Sequence, residues 1–524
     1  MVSIMIRKNG TRFLALFVGL ALLFAVVSPA TILAQATAAT YKDTINIAIT
    51  AQPPTLDAPA TSSNASAGIA SHIFESLFSL DGNFKPALVL AKSYSISDDG
   101  LVYTFELRQG VKFHNGKELT AEDAVASLNR WLTVSTRAKA LFAGAAFAKT
   151  DTYTLTLTVP KAASDILDLL AAPAQFAAIS PKEVIDAATP EGLPEYIGTG
   201  PYKLAEWAPD QYIHLVRYDD YQSPEGEPSG FVGQKQAATE NLYFRFVTDN
   251  ATRIAGIQTG EYDIAESIPL ENYKELVGNA DIRLYTKASG SLNLFINTTK
   301  GPLANEVLRQ AVLAALNDED ILLASFGDPD LYKLNPGYIN PAQPQWAVEN
   351  GAEYYNQNNP EKAKQLLAEA GYKGETIRLV TTPDYKEMYN ATLVVQEQLR
   401  QIGITAEVES YDFSIFMEHR SDPEQWDLFI TSNSYQLSPP QTSVVNPGWA
   451  GLDSAKVADG VSAIRYAANA DEAKAAWASL QQFLYEYGAA SVLGHYSSVI
   501  ASRPNVEGFD YFHYPVYWNV KIAQ

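Results

Sequence analysis

Residues 103–123 read YTFELRQGVKFHNGKELTAED, and this stretch decides how the chain is organised. Leu101, Tyr103, Phe105 and Leu107 alternate with Val102, Thr104 and Glu106, the period of two of a half-buried strand. Asn115-Gly116 marks a tight turn. Thr120 stands as an N-cap with Asp123 three residues on, in capping-box spacing, which predicts a helix over 121–132. Further along, Tyr153, Leu155, Leu157 and Val159 alternate with four threonines and predict a second strand. Toward the N-terminus, residues 44–50 (TINIAIT) read as a strand ended by Pro53-Pro54, and 58–70 as a small-residue loop running into a helix.

Beyond the quoted stretch, residues 221–238 are rich in Gly, Pro, Ser and Gln and read as a long surface loop, followed by a strand over 242–247. The last third changes character. Asn359-Pro360 starts a helix, with Asn as cap and Pro at its first position, and Gly371 closes it. A strand over 376–381, a helix over 389–402 stopped by Gly403, and strands over 404–410 and 426–432 form a βαβ pattern, hence parallel strands in an α/β lobe.

At 524 residues the chain exceeds one ordinary domain, and 47% hydrophobic residues supply a large core. A net charge of −21 repels phosphate backbones, so no nucleic-acid partner is expected. The absence of cysteine removes disulfides, thiolate metal sites, thiol nucleophiles and the processed cysteine of a lipoprotein anchor. Arg7, Lys8 and Arg12 precede an apolar run of fifteen residues, 13–27, and Ala34-Gln35-Ala36 and Ala36-Thr37-Ala38 both fit a small-x-small cleavage site. Residues 1–38 therefore read as a cleaved export signal ending near Ala36 or Ala38, the run being shorter than the roughly 20 residues a span needs.

Enzyme signatures are missing: no H-E-x-x-H, no G-x-S-x-G, no P-loop. Gly198-Thr199-Gly200-Pro201 lacks the last glycine of a dinucleotide fingerprint. His72, His114, His214, His419, His495 and His513 include no pair at helical metal-ligand spacing. Asp98-Asp99 and Asp219-Asp220 are sequence neighbours, which point to opposite faces of a strand and make poor acid/base dyads. Neither catalytic residues nor a metal or cofactor are expected, although a carboxylate pair distant in sequence would leave a hydrolase as the minor alternative.

Tyr103-x-Phe105-x-Leu107-Arg108-x-Gly110-Val111-Lys112-Phe113-His114-Asn115-Gly116, followed by Leu119-Thr120-Ala121-Glu122-Asp123, resembles the signature of the family 5 extracellular solute-binding proteins. These are the oligopeptide, dipeptide and nickel-type receptors of ATP-binding-cassette (ABC) importers. Leu56-Asp57 with Phe74-Glu75-Ser76-Leu77, Gly198 to Leu204 (GTGPYKL), Thr252 to Ile264 and Asn293 to Ile321 carry the same resemblance in order.

The resemblance implies an α/β, two-lobed periplasmic-binding-protein fold (class II-like) with an additional inserted domain, three domains in all. Residues 39–76, 198–290 and 497–524 would form the first lobe, 77–197 the inserted domain, and 291–496 the second lobe. It further implies a monomeric periplasmic protein that captures a small solute between lobes and delivers it to an ABC permease.

In peptide-binding members of that family an aspartate in W-x-x-D-Y pairs with the peptide's ammonium. Here Thr431-Ser432-Asn433-Ser434-Tyr435 keeps the tyrosine but has Ser434 for the aspartate and Thr431 for the tryptophan. Three ligand classes stay open: a peptide held differently, an oligosaccharide, or a metal chelate. Candidate ligand-binding residues are Asn433, Ser434, Tyr435, Trp449 and Tyr496 on the second lobe and Ser63 and Asn64 in the loop after the first strand. Asn293, expected just before an apolar strand, completes the set.

Overall fold

The structure, a computed structural model, describes residues 40–445 and 455–524; the expected export signal and Trp449 lie outside them. β1 (Thr44–Ile49) is followed by a short antiparallel pair, β2 (Phe78–Leu80) and β3 (Pro86–Leu88). Next comes an antiparallel sheet of β4 (Ala91–Ile96), β5 (Val102–Leu107), β6 (Ala146–Asp151) and β7 (Thr154–Thr158), in the order β4-β5-β7-β6. The other large-sheet strands are β8 (Tyr202–Ala208), β9 (Tyr212–Arg217), β10 (Asn241–Phe246), β11 (Ile264–Ala265), β12 (Arg283–Ile296), β13 (Tyr332–Lys333), β14 (Ile377–Thr381), β15 (Ala406–Ser410), β16 (Leu428–Ser434) and β17 (Ala490–Ser502). With β1 they form one mixed sheet of order β15-β14-β16-β12-β17-β11-β1-β10-β9-β8, with β13 paired on β17.

Local sequence explains these elements. Along β1, Ile45, Ile47 and Ile49 enter one hydrophobic core while Ala48 enters the other, as alternate faces of a sheet buried on both sides must. β5 buries Tyr103, Phe105 and Leu107 and leaves Glu106 exposed. Asp123 Oδ2 accepts from the Thr120 N–H at 3.1 Å, closing the capping box of the helix Ala121–Val134. β14 runs parallel to both β15 and β16, with the helix Lys386–Gln401 between β14 and β15, the βαβ arrangement expected from the sequence.

The segment opening the sequence reading also positions the site. His114 Nδ1 accepts from the Gly198 N–H at 3.3 Å, and its Nε2 lies 3.0 Å from the Gly200 carbonyl. This holds Gly198-Thr199-Gly200 against residues 72–73 so closely that a Cβ on Gly198 would lie 2.1 Å from the Ile73 carbonyl oxygen. The motif thus fixes the backbone of residues 198–200 against residues 72–73.

β12 and β17 are paired antiparallel at the centre of the large sheet and join its β16 side to its β11 side. Residues 283–288 of β12 pair with residues 497–502 of β17, whose Ala501 and Ser502 also pair with β11 and so join the β1 side. Residues 290–296 of β12 pair with β16. Between the two regions the register shifts from Ala288↔Ser497 to Gly290↔Tyr496, which leaves Ser289 as a β-bulge. Residues 164–165 are tied directly to Arg465, far along the chain: Arg465 Nε donates to Asp165 Oδ2 at 3.1 Å, and the Ser164 N–H donates to the Arg465 carbonyl at 2.8 Å.

Two readings need correction. Asn293 lies inside β12, because the strand continues through the crossing without a break. The 221–238 loop is not simply a surface loop. Tyr221 Oη and Lys235 Nζ both donate to Glu75 Oε1, at 2.8 and 3.0 Å, and Lys235 and Phe231 are buried. Its side chains serve to neutralise a carboxylate that the core would otherwise enclose unpaired.

Candidate functional site

Two adjoining cavities lie where β12 and β17 cross between lobes. The first chamber, about 380 Å³, takes Asn64 and Gly68 from the helix Asn64–Ala70, Glu266 and Ser267 after β11, and the segment 511–517. Ser434, Tyr435 and Tyr496 face it from the second lobe. The second chamber, about 430 Å³, is lined by Ser291, Asn293, Asn433, Gln441 and Val445 and shares Ser434 and Tyr435 with the first. A groove of about 570 Å³ adjoins the first chamber at Thr50 and Ser267, and one of about 770 Å³ lies between residues 162–168 and residues 466–473.

Asn64, Ser434, Tyr435 and Tyr496 therefore come together in the first chamber, and Asn293 and Asn433 in the second. Ser63 lines neither. Its Oγ accepts from the Ser66 N–H at 3.3 Å and caps the helix, the ordinary use of serine at that position. Trp449 lies outside the described residues. Asn293 Nδ2 donates to Ser291 Oγ at 2.9 Å and to the Ser291 carbonyl at 3.1 Å. Tyr435 Oη lies 2.9 Å from His495 Nδ1, and the Tyr496 ring stacks on Phe326 at 5.4 Å. Burial raises both phenols well above the usual tyrosine range, so each remains a protonated donor.

Sequence reasoning missed the other wall of the first chamber. His72 is fully buried, with Nδ1 2.9 Å from the Gly68 carbonyl, and its Nε2 accepts the Tyr517 N–H at 3.1 Å. Burial lowers its pKa to about 4, so the ring is neutral and Nδ1 carries the proton. Tyr517 Oη in turn donates to Glu266 Oε1 at 2.5 Å. Glu266 reaches the cavity because Ser267 adopts a left-handed backbone, φ 52°, which redirects the chain after β11. Arg253 holds that turn, donating to the Ser267 carbonyl at 2.8 Å and to the Val247 carbonyl at 2.8 Å. Burial pushes Glu266 up to about 7, against the opposing effects of the Tyr517 hydroxyl and the Arg253 charge.

The second-lobe wall is different. Asn433 Nδ2 and both side-chain polar atoms of Gln441 are buried without a hydrogen-bond partner among the described residues. The two chambers thus offer hydroxyls, amides, aromatic rings and one carboxylate, a set suited to hydrogen bonding and charge pairing.

Residues 85–450 match the family model described as "Bacterial extracellular solute-binding proteins, family 5 Middle". A probable peptide ABC transporter periplasmic-binding protein, y4tO, from Sinorhizobium fredii is 30% identical over 72% of this chain and 73% of its own length. The glutathione-binding protein GsiB of Salmonella paratyphi A is 31% identical over 71% of this chain and 70% of its own. Among solved structures, the ABC transporter substrate-binding protein CtaP from Listeria monocytogenes superposes with a TM-score of 0.79 at 21% identity, covering 90% of this chain and 96% of CtaP. A two-lobed sheet crossed by two long strands, a polar cleft at the crossing and a family match over most of the chain converge: the chain belongs to the family 5 bacterial extracellular solute-binding proteins.

Proposed function

We propose that this protein captures a short peptide between its two lobes outside the cytoplasm and hands it, chemically unaltered, to the permease of an ABC importer. The observation that carries the reading is the cleft itself. Side chains from both lobes line one chamber at the point where β12 and β17 cross. Closure over a ligand there is an equilibrium biased by the ligand's preference for the closed form. The relatives named for peptide and glutathione binding favour a peptide-like solute over an oligosaccharide or a metal chelate.

In this reading residues 39–76, 198–290 and 497–524 form the first lobe, 291–496 the second, and 77–197 the inserted domain. Asn64, Asn293, Asn433, Ser434, Tyr435 and Tyr496 contact the ligand. The protein acts as a periplasmic monomer without a cofactor. Residues 1–38 direct its export, and among the described residues no helix is long and apolar enough to cross a membrane.

Thermal unfolding in the presence of unblocked tripeptides, oligosaccharides and metal chelates tests the reading, with mass analysis of the recovered ligand. A ligand held at 100 times its dissociation constant adds about 2.7 kcal/mol. Stabilisation by tripeptides recovered intact is expected. A response confined to sugars or chelates, or steady appearance of a cleaved product, contradicts it.

A further inference from the structure

Glu266 is the sole acidic residue lining the two chambers among the described residues, and neither lysine nor arginine lines them. Arg137 of the inserted segment reaches the first chamber only as a charge felt at His513. One Glu266 oxygen, Oε1, is taken by the Tyr517 hydroxyl. Oε2 has no hydrogen-bond partner among the described residues. Arg253, whose charge also reaches Glu266, is committed to the carbonyls of Val247 and Ser267 and to Asn250 Oδ1. The placement is costly in itself, because Ser267 sits in a left-handed conformation that a residue with a side chain seldom adopts. A carboxylate held out on a strained turn, fixed through one oxygen and open at the other, is a receptor for a cationic donor.

We propose that Glu266 receives the ammonium group of the ligand, so that this cleft selects peptides with a free amino terminus and anchors them from the first lobe. The inference rests on the peptide reading above and adds which end of the peptide is held and by which residue. Ser434 offers no charge for that task from the second lobe. The Tyr517 hydroxyl fixes the carboxylate in place, and the chain His72–Tyr517–Glu266 ties the anchor to the helix Asn64–Ala70. With the ammonium at Glu266, the peptide backbone extends past Ser434 and Tyr435, the residues shared by both chambers, toward the unpartnered amides of Asn433 and Gln441.

The test is calorimetric titration of ligand-free protein with an equimolar library of unblocked tripeptides and with the same library N-acetylated. On the wild-type protein, acetylation is expected to weaken binding at least thirtyfold, a comparison that needs no variant. Glu266→Gln is expected to weaken binding of the unblocked library to a similar degree and to bind both libraries about equally. Wild-type affinity unchanged within threefold by acetylation overturns the anchor while leaving peptide capture standing. So does an E266Q protein that still prefers the unblocked library. If neither library binds the wild-type protein, the peptide reading fails together with the anchor.

Discussion

The two walls of the cleft use their polar atoms in opposite ways. On the first-lobe wall, His72, Tyr517 and Glu266 are joined in one chain of hydrogen bonds that starts at the Gly68 carbonyl. On the second-lobe wall, Asn433 and Gln441 bury amide atoms that have no partner among the described residues. Buried polar groups in folded proteins are nearly always paired, so a cluster of unpaired ones at a cavity marks where a further partner belongs. The difference teaches that folding assembles the first wall apart from the open Glu266 oxygen, whereas the second wall is completed by its guest. Substitutions should therefore separate: His72 on the first wall governs stability, Asn433 on the second governs affinity, and Glu266, with its open Oε2, acts on affinity from the first wall.

The largest effect is expected at His72. His72→Ala removes a buried ring and strips the Tyr517 N–H of its partner, while the Gly68 carbonyl keeps the Ser71 hydroxyl. Chemical denaturation should show a loss of about 3–5 kcal/mol, the size of a large-to-alanine core change with one orphaned backbone N–H. A loss below about 1 kcal/mol would mean that this wall is not the rigid one.

Acid comes next. The His72 pKa is lowered from 6.5 to about 4 by burial, so the unfolded chain takes up the proton first as pH falls. Its contribution is complete above pH 6.5 and is lost as pH drops toward 4, about 3 kcal/mol. Glu266 shifts the other way, from 4.5 up to about 7. In the ligand-free protein its burial therefore favours the folded state at low pH, an advantage lost as pH rises from 4.5 to 7. The groups acting on it are the phenols of Tyr517 and Tyr511 and the guanidinium of Arg253. Protonation of Glu266 removes the charge offered to an ammonium, so peptide affinity should fall between pH 8 and 6, before unfolding begins. Affinity flat across that range would separate the ligand from this carboxylate.

The smallest effect on stability, and the sharpest contrast, is expected at Asn433. Asn433→Ala deletes a donor that folding leaves unpaired, so unfolding free energy should stay within about 0.5 kcal/mol of wild type or rise. Peptide affinity should nonetheless fall about tenfold, near 1.4 kcal/mol. The reverse pattern, lost stability with retained affinity, would erase the distinction between the walls.

Much of this was readable from residue patterns. Alternation found β5 and β7, the strand–helix–strand spacing found β14, and the Asn359-Pro360 cap found the helix Pro360–Glu369. The second-lobe segment around Ser434 was singled out because a family motif runs through it. Glu266 was not, because it follows a strand of two residues and is aimed by the left-handed Ser267, a backbone choice that no residue type announces. Tyr517 was missed because the chain returns to His72 across 445 residues, and an aromatic run such as YFHYPVYW over 511–518 carries no period that reveals its destination. Ser63 was over-read: a serine before a small-residue helix is a cap first. Asn293 was misplaced because Gly290, whose Cβ would lie 2.2 Å from the Asn433 carbonyl oxygen, lets β12 continue where a break was expected.

The bulge at Ser289 has a mechanical consequence. Both spans that bridge the cleft floor belong to a single ladder, paired from Arg283 to Phe295. Sliding one span along the other by a single position would turn every side chain to the opposite face, so shear is forbidden while flexing is not. The jaws are joined by a leaf spring rather than a slack tether, and each stroke must bring the same teeth back into the same sockets.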